Sequence, residues 1–231
     1  MSTMVDALDS LTPVGRSDTL AQKVRTQLKE AVMAGRFEPG EKLTIRSIAS
    51  ALDVSLTPAR EALYNLASEG VLELRPNGSV YVPELTVDRI EELTKIRVAL
   101  ESLASREAVR HATDAQIREF AALNGAMVTA NEEHNYPVLI SMNWKFHFAI
   151  YRASRMDTLV RMIESCWLMT GSYLNVIYPK FGEVSDGISN HLQIVRALER
   201  RDSDRVAAAI TTDINLASDA LISAIRCVEQ E

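Results

Sequence analysis

A short segment of the chain carries side chains whose types and spacing suit contact with DNA. Ser55 and Thr57 supply hydroxyl groups, and Arg60 follows shortly after them. Pro58 suits the first turn of a helix, where no backbone N–H donor is needed. The free N–H groups at a helix N-terminus bind phosphate, and an arginine one turn further on can donate two hydrogen bonds to a guanine edge. The segment therefore has the chemistry of a helix that enters the major groove by its N-terminal end.

Two helices are predicted upstream of this segment. Apolar residues at i, i+4 spacing predict a helix over 18–34, with Ser17 or Asp18 as its N-cap. A second helix is expected to begin at its cap Thr44 and to run to Ala51. Together with the helix of the segment above, they form a three-helix head.

A hairpin is predicted directly after the third helix, which has Ser55 or Thr57 as its N-cap. The pieces 71–74 and 79–82 are rich in β-prone residues, and Asn77-Gly78 between them is a strong turn signal. Three helices followed by a hairpin predict a winged helix-turn-helix. Its wing would lie along the minor groove or the backbone next to the site that the third helix reads.

The rest of the chain shows helical patterns and no further strand pattern. Six helices are expected, at about 86–111, 114–134, 136–152, 155–177, 185–201 and 202–228. The predicted fold class is mainly α, with a winged helix-turn-helix domain over 14–83 and an antiparallel six-helix bundle over 86–229.

The charge of the chain does not by itself suggest DNA. The formal net charge is −6, with −1 on residues 1–83 and −5 on the remainder, whereas DNA binding needs Lys and Arg to neutralise phosphates. DNA contacts must therefore come from a few basic groups gathered on one face. The N-terminus does not read as a secretory signal, no run of about 18 apolar residues predicts a membrane span, and the 2 cysteines fit no disulfide framework. A cytoplasmic location is expected.

Motifs in the head resemble the GntR family of transcription factors. They are Ala49-x4-Val54-Ser55-Leu56-Thr57-Pro58-Ala59-Arg60-Glu61-Ala62-Leu63, then Glu69-Gly70-Val71-Leu72, and Gly78 at the wing. In that family an arginine usually follows the serine of the recognition motif, and Leu56 stands there in this chain. The resemblance implies operator DNA as a partner.

The predicted DNA contacts combine this resemblance with the chemistry of the helix start and the turn. The resemblance assigns them to Arg46, Thr57, Arg60 and Gly78, and the hydroxyl of Ser55 and the turn residue Asn77 complete the set. Taken singly, each of these residues also fits a purely structural interpretation as a helix start, a solvated charge or a turn. Their occurrence together and in this order favours DNA binding.

The helical body resembles the C-terminal ligand-binding domain of the FadR subgroup, in its shorter, VanR-type version with six helices. The resemblance rests on Arg97-x3-Glu101, Asn143-x3-His147, His191 and Asp213. In many members the last four positions read Asp, His, His and His, and they bind one divalent metal beside the effector. The resemblance therefore implies a metal site made of Asn143, His147, His191 and Asp213, with zinc or nickel as the expected ion.

Two of these four ligands depart from the family pattern. Asn143 offers a neutral carbonyl oxygen in place of a carboxylate, and Asp213 offers a carboxylate in place of an imidazole. The total ligand charge is unchanged, but the site has less imidazole with which to hold zinc or nickel. Without the resemblance, the sequence predicts that His147 is a core histidine among aromatic residues and that His191 is a surface or helix-start residue.

Arg97 is a candidate clamp for a carboxylate, because its planar guanidinium matches two oxygens. The alternative for Arg97 is an i, i+4 pair with Glu101. Tyr151 and Tyr173 could add hydroxyl contacts, although a tyrosine in a helical bundle more often packs than binds. The expected effector is a small carboxylate held between Arg97 and the metal.

These features together predict a ligand-responsive transcriptional regulator, a homodimeric repressor on a pseudo-palindromic operator. One alternative is a metal-dependent helical-bundle enzyme fused to a DNA-binding head, and another is a purely architectural DNA-bound dimer. The sequence shows no nucleophile–base constellation and no Gly-rich phosphate loop. No enzymatic activity is therefore expected.

Overall fold

The structure is a computed structural model, and it describes residues 19–173 and 185–228. The predicted helical residues 174–177 lie outside these ranges, as do the predicted caps Ser17 and Asp18. The first helix instead has Thr19 as its N-cap, and the Thr19 side chain accepts a hydrogen bond from the backbone N–H of Gln22 at 3.2 Å. The predicted cap was therefore wrong by one or two positions.

The described part of the head contains three helices and three short strands. They are α1 (Leu20–Met33), β1 (Lys42–Leu43), α2 (Ile45–Ala51), α3 (Leu56–Ser68), β2 (Glu73–Leu74) and β3 (Val80–Tyr81). Helix α2 begins where the sequence predicts, because Thr44 Oγ1 accepts from the backbone N–H of Ser47 at 3.0 Å. Ser55 is the N-cap of α3, but its side chain makes no capping hydrogen bond and is exposed.

The wing is the predicted hairpin, extended by one strand that the sequence did not reveal. Strand β3 lies between β1 and β2 and pairs antiparallel with both, so that Tyr81 lies opposite Lys42 on one side and Glu73 on the other. Strand β1 has only two residues and shows no alternation, so tertiary pairing with β3 defines it. Gly78 at the turn has a φ of +77°, which is a conformation that glycine adopts without strain.

Helix α3 buries one face and leaves the other free. Ala59, Ala62, Leu63 and Leu66 have no exposed surface, and they form one core with Val24 and Leu28 of α1. Burial of a leucine side chain stabilises a fold by about 1.5–3 kcal/mol. The opposite face of α3 is therefore fixed in place and open to a partner.

Six helices make up the described part of the body, in agreement with the sequence. They are α4 (Val87–His111), α5 (Asp114–Glu132), α6 (Tyr136–Ala153), α7 (Asp157–Thr170), α8 (Ser185–Glu199) and α9 (Ser203–Val228). A short 3₁₀ turn, Gly171–Tyr173, follows α7, so the predicted helix over 155–177 stops earlier than expected. No helix in 19–173 or 185–228 has the length and hydropathy needed to cross a membrane.

Helix α6 is the central helix of the body. Phe146, His147, Phe148, Ile150 and Tyr151 are all at most 1% exposed and cover more than half of its circumference, while Lys145 and Arg152 are exposed on the remaining side. The polar side chains on the buried part must find partners inside the protein. Helix α4 packs against α6, α7 and α9, while α8 packs against α5 and α9. These neighbours supply partners for His147 and Tyr151 of α6.

The head and the body meet where the 3₁₀ turn passes α1. A Cβ atom placed on Gly171 would lie 2.7 Å from the carbonyl oxygen of Val32 and 3.1 Å from Cα of Met33. Lys29 of α1 also pairs with Glu164 of α7 at 3.8 Å. Only glycine at position 171 lets the two backbones approach this closely.

Gly171→Ala is expected to lower the free energy of unfolding by about 1–3 kcal/mol, because the added methyl group meets backbone atoms that must move apart. Urea denaturation of the full chain measures this change. Gly125→Ala is a matched control, since Gly125 is an exposed helical glycine with nothing within 4 Å of an added Cβ. It should stabilise the chain by about 0.5–1 kcal/mol. Equal effects of the two substitutions would contradict the close contact.

Candidate functional site

Three ionisable side chains meet in the interior of the helical body. Nε2 of His147 and Nε2 of His191 lie 3.1 Å from the two oxygens of the Asp213 carboxylate, one imidazole on each oxygen. The two Nε2 atoms are 3.2 Å apart. His147 is 1% and His191 is 4% exposed. The ligand atoms therefore form a closed cluster with little access to water.

Each member of this cluster comes from a different helix. His147 lies on α6, His191 on α8 and Asp213 on α9. Asn143, the fourth predicted ligand, is buried one turn before His147 on α6. Asn190 donates to the carboxylate of Asp213 at 3.3 Å and thereby holds it in position. The structure thus brings three of the four predicted ligands together and aligns the fourth on the same helix face.

A chain of hydrogen bonds supports the cluster from the side of α4. Tyr151 Oη donates to Oε2 of Glu101 at 2.5 Å and lies 3.2 Å from Nδ1 of His147. Glu101 has no exposed surface and also accepts from Nε of Arg97 at 2.6 Å. A carboxylate only accepts hydrogen bonds, so the phenol proton of Tyr151 is directed at Glu101. The phenol oxygen therefore accepts from an N–H at Nδ1 of His147.

This arrangement fixes the tautomer of His147. A neutral imidazole that is protonated at Nδ1 carries its lone pair on Nε2. Burial lowers the pKa of His147, although the nearby Asp213 carboxylate acts in the opposite direction. The lowered pKa favours the neutral ring. The Nε2 lone pair then faces the Asp213 carboxylate and His191, and two acceptors in contact repel each other unless a cation lies between them.

The other protonation states are consistent with a cation-binding cluster. Burial alone would raise the pKa of Asp213, but the adjacent His191 imidazole holds it well below its ordinary value, so the carboxylate stays charged. Burial, together with the Glu101 carboxylate, raises the pKa of Tyr151 well above its ordinary value, so the phenol keeps its proton. Each group is therefore in the form that a metal ligand or its supporting partner requires.

The spacing of the ligand atoms also fits a small divalent ion. Ligands bound at about 2.0–2.1 Å around a tetrahedral ion are about 3.3 Å apart. The two Nε2 atoms are 3.2 Å apart, and each lies 3.1 Å from a different oxygen of Asp213. Geometry, burial and donor chemistry therefore agree on a possible metal site at His147, His191 and Asp213.

Two of the predicted effector residues share a small cavity next to this cluster. Its volume is about 30 Å³, and its polar lining consists of Arg97, Thr94, Thr170, Tyr173 and Ser218. The pair of Arg97 with Glu101, which was the alternative for this arginine, is present in the structure. Tyr151 lies away from the cavity lining and bonds Glu101 and His147 instead.

The predicted DNA contacts of the helices lie on the free surface of the head. Thr57 and Arg60 are exposed on α3, Ser55 is exposed at its N-cap, and Arg46 is exposed on α2. Within residues 19–173 and 185–228 the Arg60 side chain forms no hydrogen bond or ion pair. Its guanidinium is therefore available to a partner.

Asn77 and Gly78 lie exposed at the tip of the wing. Asn77 Oδ1 accepts from the backbone N–H of Ser79 at 3.0 Å, so this side chain shapes the turn. The sequence analysis did not single out Arg75 as a basic residue of the wing. Its guanidinium lies 3.8 Å from the ring centroid of Tyr81 and pairs with Glu73. A basic residue directly before the Pro-Asn-Gly turn was the available signal.

Comparison with known proteins agrees with this two-part architecture. The sequence model described as "Bacterial regulatory proteins, gntR family" matches residues 20–82, and that described as "FCD domain" matches residues 92–216. The first match covers the helices and wing of the head. The second covers His147, His191 and Asp213.

Similar proteins are named as regulators and repressors, and they give no support to the enzyme alternative. The chain is 31% identical over 188 residues to the HTH-type transcriptional regulator McbR of Escherichia coli K12, covering 80% of this chain and 85% of that protein. It is 24% identical over 223 residues to the HTH-type transcriptional repressor RspR of the same organism, covering 95% of each. The solved structure of E. coli McbR/YncC superposes with a TM-score of 0.84 at 29% identity, covering 89% of this chain and 98% of that one. The chain therefore belongs to the GntR family of bacterial transcriptional regulators, in its FadR-type subgroup with a C-terminal FCD domain.

Proposed function

We propose that this chain is a homodimeric repressor that releases its operator when a small carboxylate binds beside a divalent metal in the helical domain. The observation that carries the proposal is the buried cluster of His147, His191 and Asp213, supported through Tyr151 and Glu101. In this proposal residues 14–83 bind DNA and residues 86–229 bind the metal and the effector.

His147, His191 and Asp213 would hold the metal, with the side-chain oxygen of Asn143 as a fourth ligand. Two imidazole nitrogens with oxygen ligands suit zinc or nickel. The ion would supply a positive charge that attracts an organic anion into the bundle. Asn190 and Tyr151 would keep Asp213 and His147 oriented, in the manner of the groups that surround metal ligands elsewhere.

Arg97 and Tyr173 would contact the effector from the cavity that they line. Arg97 uses Nε and one terminal nitrogen toward Glu101, which leaves other N–H groups for a carboxylate. A cavity of about 30 Å³ has room for only two or three water molecules, at about 10–15 Å³ for each. An organic acid must therefore displace side chains as it enters, and this displacement is a physical source of the response.

The 3₁₀ turn Gly171–Tyr173 offers a short route from this cavity to the DNA-binding head. Tyr173 lines the cavity and accepts a hydrogen bond from the backbone N–H of Leu85, just before α4. Gly171, two residues earlier, packs against the end of α1. A shift of Tyr173 would therefore act on both the connection to α4 and the position of the head.

The proposal is tested on the full chain, stripped of metal by a chelator and reloaded with zinc or nickel. Small mono- and dicarboxylates are screened by thermal shift, and each hit is then added to the complex with an operator obtained by in vitro selection. A true effector should weaken operator binding by about 5–150-fold, and sedimentation should show a dimer on the pseudo-palindrome. Hits that leave DNA affinity unchanged, or a stable monomer on DNA, would contradict the proposal.

Tyr151→Phe is expected to weaken metal binding by about 10–100-fold, because it removes the oxygen that accepts from Nδ1 of His147. Competition with a chromophoric chelator measures the metal affinity. Tyr136→Phe is the matched control, since Tyr136 is a half-buried tyrosine at the start of the same helix. If both variants bind metal as tightly as the wild type, Tyr151 does not orient the ligand.

A further inference from the structure

Leu56, the first residue of α3, keeps a large apolar side chain in water. It is 48% exposed, whereas the nearby Leu52 and Val54 pack against the core. A single exposed leucine is common on protein surfaces and needs no explanation by itself. Leu56 is of interest because it lies at the N-terminal end of the helix that is predicted to contact DNA bases.

The neighbours of Leu56 on the helix surface define the direction in which it projects. Arg60 and Tyr64 follow at i+4 and i+8, and both are exposed, Tyr64 by 38%. The adjoining side of the helix is packed into the core and is centred on Ala62 and Leu66, so Leu56 lies at the edge of the free face. Leu56 therefore shares the free face of α3 with Arg60, the residue expected to contact a base.

An aliphatic side chain can distinguish bases in the major groove by one feature. It cannot donate or accept a hydrogen bond, so it does not read the polar edges of guanine, cytosine or adenine. Thymine alone among the four bases presents a methyl group there, and apolar side chains contact it. We propose that Leu56 packs against the 5-methyl group of a thymine and so sets part of the operator sequence.

This inference rests on the proposed function, because it requires that α3 occupy the major groove. Four residues of a helix span about 6 Å along its axis, which is close to two base-pair steps. The thymine read by Leu56 and the guanine read by Arg60 should therefore lie within about two base pairs of each other in each half-site.

The test begins with in vitro selection of operator DNA by the full wild-type chain. The selected thymine is then replaced by uracil, which pairs in the same way but lacks the methyl group. Wild-type affinity should fall by about fourfold for each half-site changed. Leu56→Ala should still bind DNA but should bind the thymine and uracil operators equally. Leu56→Arg should instead enrich guanine at this position, because arginine pairs with the guanine edge.

Leu20→Ala is the matched control, because Leu20 is 51% exposed on α1 and outside the reading helix. It should keep the wild-type preference for thymine over uracil. A thymine-to-uracil ratio that is unchanged in Leu56→Ala, or a selected half-site without a thymine near the guanine, overturns the role of Leu56 alone. A wild-type chain that enriches no sequence overturns the proposed function as well, and the two failures are thereby distinguished.

Discussion

The double substitution of His147 and His191 by alanine is expected to abolish metal uptake by the chain. These residues supply both imidazoles of the cluster, and their Nε2 atoms lie 3.2 Å apart. Without them Asp213 and Asn143 remain, and two oxygen ligands from two helices do not hold zinc or nickel against water. Metal analysis after loading and desalting should find a stoichiometric ion in the wild type and none in the variant. The variant should also lose the effector response while still binding DNA.

The chain contains its own control for this experiment. It has 4 histidines, and the other two are exposed, His111 at the end of α4 and His134 in the turn after α5. Their double substitution by alanine should leave metal content unchanged. Asp213→Asn removes a charge with almost no change of shape, so it separates the loss of a ligand from the loss of core packing. Metal retained by the His147/His191 variant, or an intact effector response in it, would show that the cluster does not sense the ligand.

Arg60→Ala is expected to reduce operator affinity by about 1–3 kcal/mol and to relax the preference at one base pair of each half-site. The reason is the loss of two hydrogen bonds to a guanine edge from a side chain that is exposed on the free face of α3. Fluorescence anisotropy with the selected operator, and with operators altered at that base pair, measures both effects. A change in the wing, such as Asn77→Ala, should weaken binding more evenly across sequences.

Arg118→Ala provides the comparison for a general loss of positive charge. Arg118 is exposed on α5 in the helical body, and its removal changes the net charge by the same amount. It should leave operator affinity within error of the wild type at physiological salt, since screening is strong beyond about 8 Å. An Arg60 variant whose footprint and base preference match those of the wild type would mean that α3 is not the reading helix.

The local structural elements of this protein can be predicted from its sequence. Thr44 caps α2, Asn77-Gly78 turns the wing, and apolar periodicity predicts the helices of the body that lie within 86–173 and 185–228. Capping, turn chemistry and helical periodicity involve residues close in the chain. The same locality made the i, i+4 pair of Arg97 with Glu101 foreseeable. Strand β1 was not foreseeable, because two residues carry no pattern and their pairing partner lies nearly forty positions away.

The sequence and the tertiary structure likewise determine different properties of the candidate metal site. The sequence by itself determined the residue types and, through the family resemblance, their four positions. The packing of α4, α6, α8 and α9 decided that His147 meets His191 across 44 positions and that Tyr151 meets Glu101 across 50. Those contacts fix the tautomer of His147 and the charge of Asp213, and both depend on burial and on partners from other helices. Only the tertiary structure sets these, because hydrogen bonding and desolvation act through space and not along the chain.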